Sequence, residues 1–332
     1  MPEPSIHVLD MHTGGEPVRI IRDGYPDIPG ATILAKRRHV REHLDHLRRL
    51  LMFEPRGHYD MYGVLPVAPS LPGADLAVLF MHNEGYSTMC GHATIAVARY
   101  AVDYGLVPRV EPVTEVGIEC PCGLVRARVR VADGQVSFDS VPAFLLAEQL
   151  RVDVPGVGPV LADVSYGGAF YALADAAQFG LEVRASRTRD LVDAASALST
   201  AVRAALPIRH PLEPDLGFLY GSILTDGRDR PEQGVSANIC VFANAEVDRS
   251  PTGSGVTARM AARFQRGLVP AGTECAFESV TGARFTGEVL GAVTCGDQAA
   301  VTVRVAGKAH YIGEARYWLE PDDQIGKGFL LT

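Results

Sequence analysis

The sequence predicts an α+β chain built from two related domains, and three observations carry that expectation. Two stretches match without a gap: Cys90-Gly91-His92-Ala93 opens a segment ending Gly105-Leu106-Val107, and Thr252-Gly253-Ser254-Gly255 opens one ending Gly267-Leu268-Val269, with Ala96 over Ala258. Gly91 to Val107 is nearly apolar throughout, the pattern of a helix buried on most of its surface. Around both segments run stretches of strand length with alternating polar and apolar residues. A chain of 332 residues, 47% hydrophobic and 21% charged, is long and apolar enough for two cores. The boundary is expected near residue 130.

The elements follow in order. Val18-Arg19-Ile20-Ile21 comes after a Gly-Gly turn and reads as a strand. Lys36 to Met52 carries Val40, Leu44, Leu47, Leu50 and Leu51 at helical spacing, so one amphipathic helix is expected before Pro55-Arg56-Gly57. Leu76 to Phe80 is a buried strand leading toward Cys90. Leu124 to Arg130 and Gln135 to Val141 alternate on either side of Asp133-Gly134 and predict a hairpin with one wet face. Arg187 to Leu206 reads as an amphipathic helix and Ala237 to Phe242 as a strand. Three further strands are expected at 285–290, 299–305 and 309–318.

Charge and composition narrow the function. A net charge of −8 argues against nucleic acid or an anionic membrane as partner, because those surfaces require an excess of Lys and Arg. A small metabolite fits better. The start, Met1-Pro2-Glu3-Pro4-Ser5, has neither a basic nor an apolar leader segment, and no run reaches the roughly 20 apolar residues of a membrane span; cytoplasmic residence is the expectation. The six cysteines are scattered, so reduced thiols are expected. Cys120-Pro121-Cys122 lacks a C-x-x-C spacing and a second cysteine pair, which favours a strand-turn-strand boundary over a metal site. No glycine-rich dinucleotide or phosphate loop occurs.

Chemistry concentrates at the two repeated helix starts. A thiol at a helix N-terminus is acidified by free N–H groups and the helix dipole, which makes Cys90 a credible base. The hydroxyl of Thr252 has no comparable acidity: it can hydrogen-bond, or serve simply as an N-cap, but is a poor proton donor or acceptor. Backbone N–H groups around Gly91-His92 and Gly253-Ser254 could bind a carboxylate. The repeat is therefore chemically one-sided.

Asp10-Met11-His12-Thr13-Gly14-Gly15-Glu16-Pro17, Met89-Cys90-Gly91-His92 and Asp248-Arg249-Ser250-Pro251-Thr252-Gly253-Ser254-Gly255 closely resemble the signatures of the proline racemase superfamily. Three separated motifs in the right order span nearly the whole chain. The resemblance implies two pseudo-symmetric domains of diaminopimelate epimerase type, each an antiparallel sheet curled around a central helix, with the active site in the interdomain cleft. It implies a first domain of residues 1–130 completed by a C-terminal strand at 312–332, and a second of 131–311. It further implies catalysis without metal or pyridoxal phosphate, hence no cofactor, on a proline or hydroxyproline substrate, with a homodimer as the assembly. Racemases and epimerases of the superfamily use two cysteines. This chain departs at Thr252, and the Cys/Thr pair resembles the dehydratase branch.

On this resemblance Cys90 and Thr252 are the catalytic pair. Asp248 would pair with the ring ammonium and His92 would hydrogen-bond near the base; Gly91, Gly253 and Ser254 would hold the carboxylate. Tyr220 stands where related epimerases place a substrate-contacting histidine, while His12 to Gly15 would shape the site. In trans-3-hydroxy-L-proline the hydroxyl shares a ring face with the α-hydrogen, so one residue could take the proton and return it to the departing hydroxyl. Dehydration to Δ1-pyrroline-2-carboxylate is the expected reaction. The alternatives are a racemase or 4-hydroxyproline 2-epimerase using a Thr252-held water as second acid, and a non-catalytic amino-acid-binding protein.

Overall fold

The computed structural model describes residues 5 to 331 and divides into two compact units. One holds the described residues up to Val136 and those from Lys308 onward; the other is Ser137–Gly307. Among the described residues the mixture of five α-helices with long strands agrees with the α+β class expected from the sequence.

The first unit contains β1 (Ser5–Thr13), β2 (Glu16–Asp23), α1 (Ile33–His43), α2 (Asp45–Met52), β3 (Tyr62–Val67), β4 (Leu76–His82), α3 (Gly91–Asp103), β5 (Val113–Cys120) and β6 (Gly123–Arg130). β7 (Gln135–Asp139) spans the division. The second contains β8 (Phe144–Val154), β9 (Gly158–Tyr166), β10 (Phe170–Asp175), α4 (Thr188–Ala205), β11 (Leu219–Thr225), β12 (Ser236–Phe242), β13 (Glu246–Asp248), α5 (Gly253–Gln265), β14 (Glu274–Glu278) and β15 (Arg284–Cys295). β16 (Gln298–Trp318) runs through residue 307 and so contributes to both.

Each unit repeats one order of strand pairing. In the first, β16–β1 and β1–β2 are antiparallel, β2–β3 parallel, β3–β4 antiparallel, β4–β5 parallel and β5–β6 antiparallel. In the second, β8–β9 and β9–β10 are antiparallel, β10–β11 parallel, β11–β12 antiparallel, β12–β14 parallel and β14–β15 antiparallel. Parallel neighbours need a crossover long enough to hold a helix. Among the described residues the α-helices all lie in such crossovers: α1–α2 and α3 in the first unit, α4 and α5 in the second.

The sequence repeat corresponds to matched helices. α3 and α5 are each 13 residues long and buried along most of their length. Both end alike: Gly105 at φ 70° and Gly267 at φ 68°, with Leu106 N–H donating to Ala101 O at 2.8 Å and Leu268 N–H to Arg263 O at 2.8 Å. A left-handed glycine after the last turn satisfies carbonyls that the helix leaves open. Ala93, Ala96 and Ala101 in α3 have no exposure, nor do Ala258 and Ala261 in α5; small side chains let a helix sit close to surrounding strands.

Two expectations change. The single helix expected from Lys36 to Met52 is two helices, broken at Leu44 (φ −122°, ψ 13°). Asp45 then opens a new first turn and holds Arg48 Nε at 2.6 Å, a favourable place for an acid. The break also lets buried cations on both helices reach carbonyls: Arg37 Nε donates to Tyr86 O at 3.1 Å and Arg48 donates to His82 O at 2.8 Å. The strands expected at 299–305 and 309–318 are the single strand β16. Its partners change from β15, last paired at Ala306, to β1, first paired at Ala309, so one strand runs on through Gly307.

Leu51, fully buried in the cluster of Ile6, Val8, Val40, Leu47 and Leu79, tests the first core. Leu51→Ala should lower unfolding free energy by about 2–5 kcal/mol, the usual cost of a buried leucine truncation, read as a lower urea midpoint at unchanged slope.

Candidate active site

Cys90 is the residue before α3, in extended conformation (φ −146°, ψ 111°), and makes no side-chain cap bond. Sγ lies 3.0 Å from His92 Nδ1, and both residues are buried, at 5% and 2% exposure. The backbone still opens the helix, with Thr94 N–H and Oγ1 both donating to Cys90 O, at 3.0 and 2.7 Å. His92 is fixed in turn: Thr13 Oγ1 donates to its carbonyl at 2.9 Å, and the Tyr62 ring meets its imidazole edge-on at 4.8 Å. An imidazole bonded to a thiol stabilises the thiolate, which is the nucleophilic and basic form.

The motif at residues 10–17 serves this arrangement through the β1–β2 turn. Gly14 and Gly15 both have positive φ, 64° and 89°, and the turn holds Thr13 where it reaches His92. His12 accepts from Gly15 N–H at 3.3 Å and stacks on His310. Cys120-Pro121-Cys122 forms the tight turn between β5 and β6, where Cys120 pairs with Gly123. Burial pushes the Cys122 thiol up to about 12 and Cys120 well above its usual range, so neither is a thiolate near neutral pH. Among the described residues no group of three or more His, Cys, Asp or Glu could hold a metal ion.

Thr252 precedes α5 as Cys90 precedes α3, and its carbonyl likewise accepts the first helical bond, from Val256 N–H at 2.7 Å. The resemblance ends there. Thr252 has φ 65° and ψ 92°, its side chain makes no cap bond, and Oγ1 is buried without a hydrogen-bond partner among the described residues. A β-branched residue at positive φ is a conformational outlier, and an unbonded buried hydroxyl costs about 1–3 kcal/mol. The plain N-cap reading therefore fails: the hydroxyl caps nothing.

The segment before it is built to hold this geometry. Ser250 N–H donates to Asp248 Oδ1 at 2.8 Å, and Thr252 N–H donates to Ser250 Oγ at 3.1 Å. Gly255 leaves the space the threonine methyl needs, since a Cβ there would lie 3.0 Å from Thr252 Cγ2 and 2.5 Å from Ile223 Cδ1. Ser254 Oγ and Tyr171 OH share a bond of 2.7 Å. Tyr220, 7% exposed on β11, stacks on Phe242 and meets Tyr171 edge-on, so Tyr171, Tyr220 and Phe242 form one aromatic wall. Gly167 sits against the first turn of α5; a Cβ there would fall 2.2 Å from Ser254 O.

In the first unit Cys90, Gly91 and His92 lie at the start of α3; in the second Thr252, Gly253 and Ser254 lie at the start of α5, Asp248 ends β13 and Tyr220 lies on β11. Sequence reasoning missed Tyr171, for which β10 offers no local signal, and Asn238 and Arg259. Those two had a signal: an amide inside the apolar run Ala237 to Phe242, and an arginine on the buried helix itself.

Comparison with known proteins follows the same lines. A family model described as proline racemase matches residues 8–330. The chain is 55% identical to the human (Homo sapiens) trans-3-hydroxy-L-proline dehydratase, over 99% of this chain and 95% of that one. It is 44% identical to a 3-hydroxyproline 2-epimerase of Burkholderia multivorans, over 98% of each. Among solved structures, a hydroxyproline epimerase from Agrobacterium vitis with bound trans-4-OH-L-proline superposes with a TM-score of 0.92 at 28% identity, over 100% of this chain and 97% of that one. The chain belongs to the proline racemase family.

Thr252→Gly tests the strain. Glycine accepts φ 65° without the Cβ clash, and relief of about 1–3 kcal/mol should exceed the extra chain entropy of glycine, about 0.4–1 kcal/mol. The variant should melt a few degrees higher than the wild type. A lower melting temperature would mean that the threonine is relaxed where it stands.

Proposed function

We propose that this chain dehydrates trans-3-hydroxy-L-proline to Δ1-pyrroline-2-carboxylate with Cys90 as its single acid–base group. The carrying observation is the contrast between the helix starts. Cys90 is bonded to His92 and can exist as a thiolate, whereas Thr252 offers a hydroxyl that cannot ionise near neutral pH. The 55% identity to a trans-3-hydroxy-L-proline dehydratase over nearly the full length of both chains supports the same reading.

In this mechanism the Cys90 thiolate removes the α-proton and the electron pair moves onto the carboxylate, giving an enediolate-like form. N–H groups of Gly91, His92, Gly253 and Ser254 would hold the carboxylate and its developing charge, aided by the helix dipoles. Asp248, with Oδ1 already engaged by Ser250 N–H, would pair with the ring ammonium. The pair then forms the Cα–Cβ double bond as the C3–O bond breaks, and Cys90 returns its proton to the leaving oxygen, which departs as water. The enamine tautomerises to the imine. One thiol suffices because the proton and the hydroxyl leave from the same ring face. Thr252 and Tyr220 would contact substrate without transferring a proton.

Epimerisation at C2, with a Thr252-held water as second acid, is the reading to be separated from dehydration; the relative named an epimerase is 44% identical against 55% for the dehydratase, which weighs against it. The two separate in deuterium oxide. Dehydration of trans-3-hydroxy-L-proline yields the pyrroline, while epimerisation yields the C2 epimer labelled at the α-carbon; the epimer without pyrroline would overturn the proposal. Cys90→Ser should lose at least 1,000-fold in kcat with the fold intact, because a serine hydroxyl is not a base at neutral pH.

Thr252→Cys places a second thiol at a helix start, where its pKa should fall. It should gain detectable epimerisation of hydroxyproline, weak because supporting residues hold a catalytic group to within about 0.5 Å and these surround a threonine. Chiral chromatography of the recovered substrate reads the outcome.

A further inference from the structure

Arg259 lies in the middle of α5 at 2% exposure, one of the largest fully buried side chains of the protein. Burial of a cation is costly and is ordinarily offset by a carboxylate. Here, among the described residues, the guanidinium bonds directly only to neutral oxygens, Asn238 Oδ1 at 3.0 Å and Ser236 Oγ at 2.5 Å, and lies over the Phe277 ring at 4.8 Å; the acids near it, Asp226 beyond the Ser236 hydroxyl and Asp229, do not touch it. Burial lowers its pKa to about 9, so the desolvation is substantial. A methionine would fill such a space at less cost. The arginine therefore does something that volume does not.

What it does follows from donor chemistry. A guanidinium only donates hydrogen bonds, so Asn238 must turn its Oδ1 toward Arg259, which leaves Nδ2 for the other side. There Nδ2 donates to Pro251 O at 3.4 Å. That bond is long and weak alone, but its sense is dictated, and Asn238 is wholly buried, where a flip would set its Nδ2 against the guanidinium. Pro251 is the residue before Thr252, whose φ of 65° is the most strained feature of the site. Thr252 N–H is held by Ser250, and the carbonyl of the same peptide bond is the Pro251 oxygen that Asn238 holds. The peptide that sets the threonine conformation is gripped at both ends.

We infer that Arg259 and Asn238 are positioning residues for the catalytic segment at 248–252: Arg259 orients the Asn238 amide, and the amide fixes the Pro251–Thr252 peptide so that Thr252 keeps its strained conformation and unbonded hydroxyl. The inference rests on the proposed substrate site at Thr252. It explains why a buried cation is paired with an amide rather than with an acid: an acid would satisfy the arginine better and could not donate to Pro251.

Asn238→Asp separates position from stability. The carboxylate supplies Arg259 with a counter-charge and keeps the volume, but it loses the donor and turns an oxygen toward the Pro251 carbonyl. The variant should melt at or above the wild-type temperature and yet lose tenfold or more in kcat/KM on trans-3-hydroxy-L-proline, with Cys90 alkylated by iodoacetamide at the wild-type rate. Arg259→Met, which leaves the amide free to flip, should show the same split. Wild-type kcat/KM in either folded variant overturns the inference, and so does failure of both to fold, since the pair would then serve the fold alone. Titration with pyrrole-2-carboxylate, a planar substrate analogue, is the readout independent of turnover: tenfold weaker binding by Asn238→Asp is expected. A wild type that binds the analogue but yields no pyrroline refutes the dehydratase reading and leaves the positioning test standing on that affinity.

Discussion

A β-branched residue at φ 65° with a buried, unbonded hydroxyl is a conformation that a chain does not adopt unaided. Local strain of this kind persists only where the surroundings over-determine it. The second unit supplies that determination from several directions: Ser250 and Asp248 from the preceding loop, the space beside Gly255 from the helix, and the Asn238 amide from β12. The stable packing of α5 within its strands is what the strained residue depends on.

The two helix starts show how one local design carries two chemistries. α3 and α5 have the same length, the same terminal glycine conformation and the same closing bonds. They differ where each begins. Cys90 sits in a relaxed extended conformation, its sulfur 3.0 Å from the imidazole of a neighbour two residues on, His92. Thr252 sits in a strained one and is supported from outside its helix. A thiol beside an imidazole has a partner that can tune its proton; a hydroxyl held without one is only placed.

Much of this was legible in the sequence because it is local. The repeat exposes both helices, since glycine after a thiol or hydroxyl and a Gly-Leu-Val ending are short-range signals of helix start and stop. Continuous apolar runs at 76–80 and 237–242 mark strands buried on both faces, alternation at 124–130 and 135–139 marks strands with one wet face, and Cys90 followed by His92 already brings a thiol and an imidazole within one turn. The motif residues announce the family, and Thr252 in place of a second cysteine announces the asymmetry.

Tertiary structure decided what depends on partners remote in sequence. Helical spacing from Lys36 to Met52 is continuous, yet the chain breaks at Leu44, with buried Arg37 and Arg48 on either side bonded to carbonyls of other segments. Gly307 looks like a strand end until β1 takes over the hydrogen bonds that β15 releases. Tyr171 reaches Ser254 across 83 residues, and Arg259 reaches Asn238 across 21. The backbone angle of Thr252 has no sequence signature at all, because threonine alone disfavours it. Identity and periodicity determine which groups a chain can offer; packing determines which of them are held against their own preference.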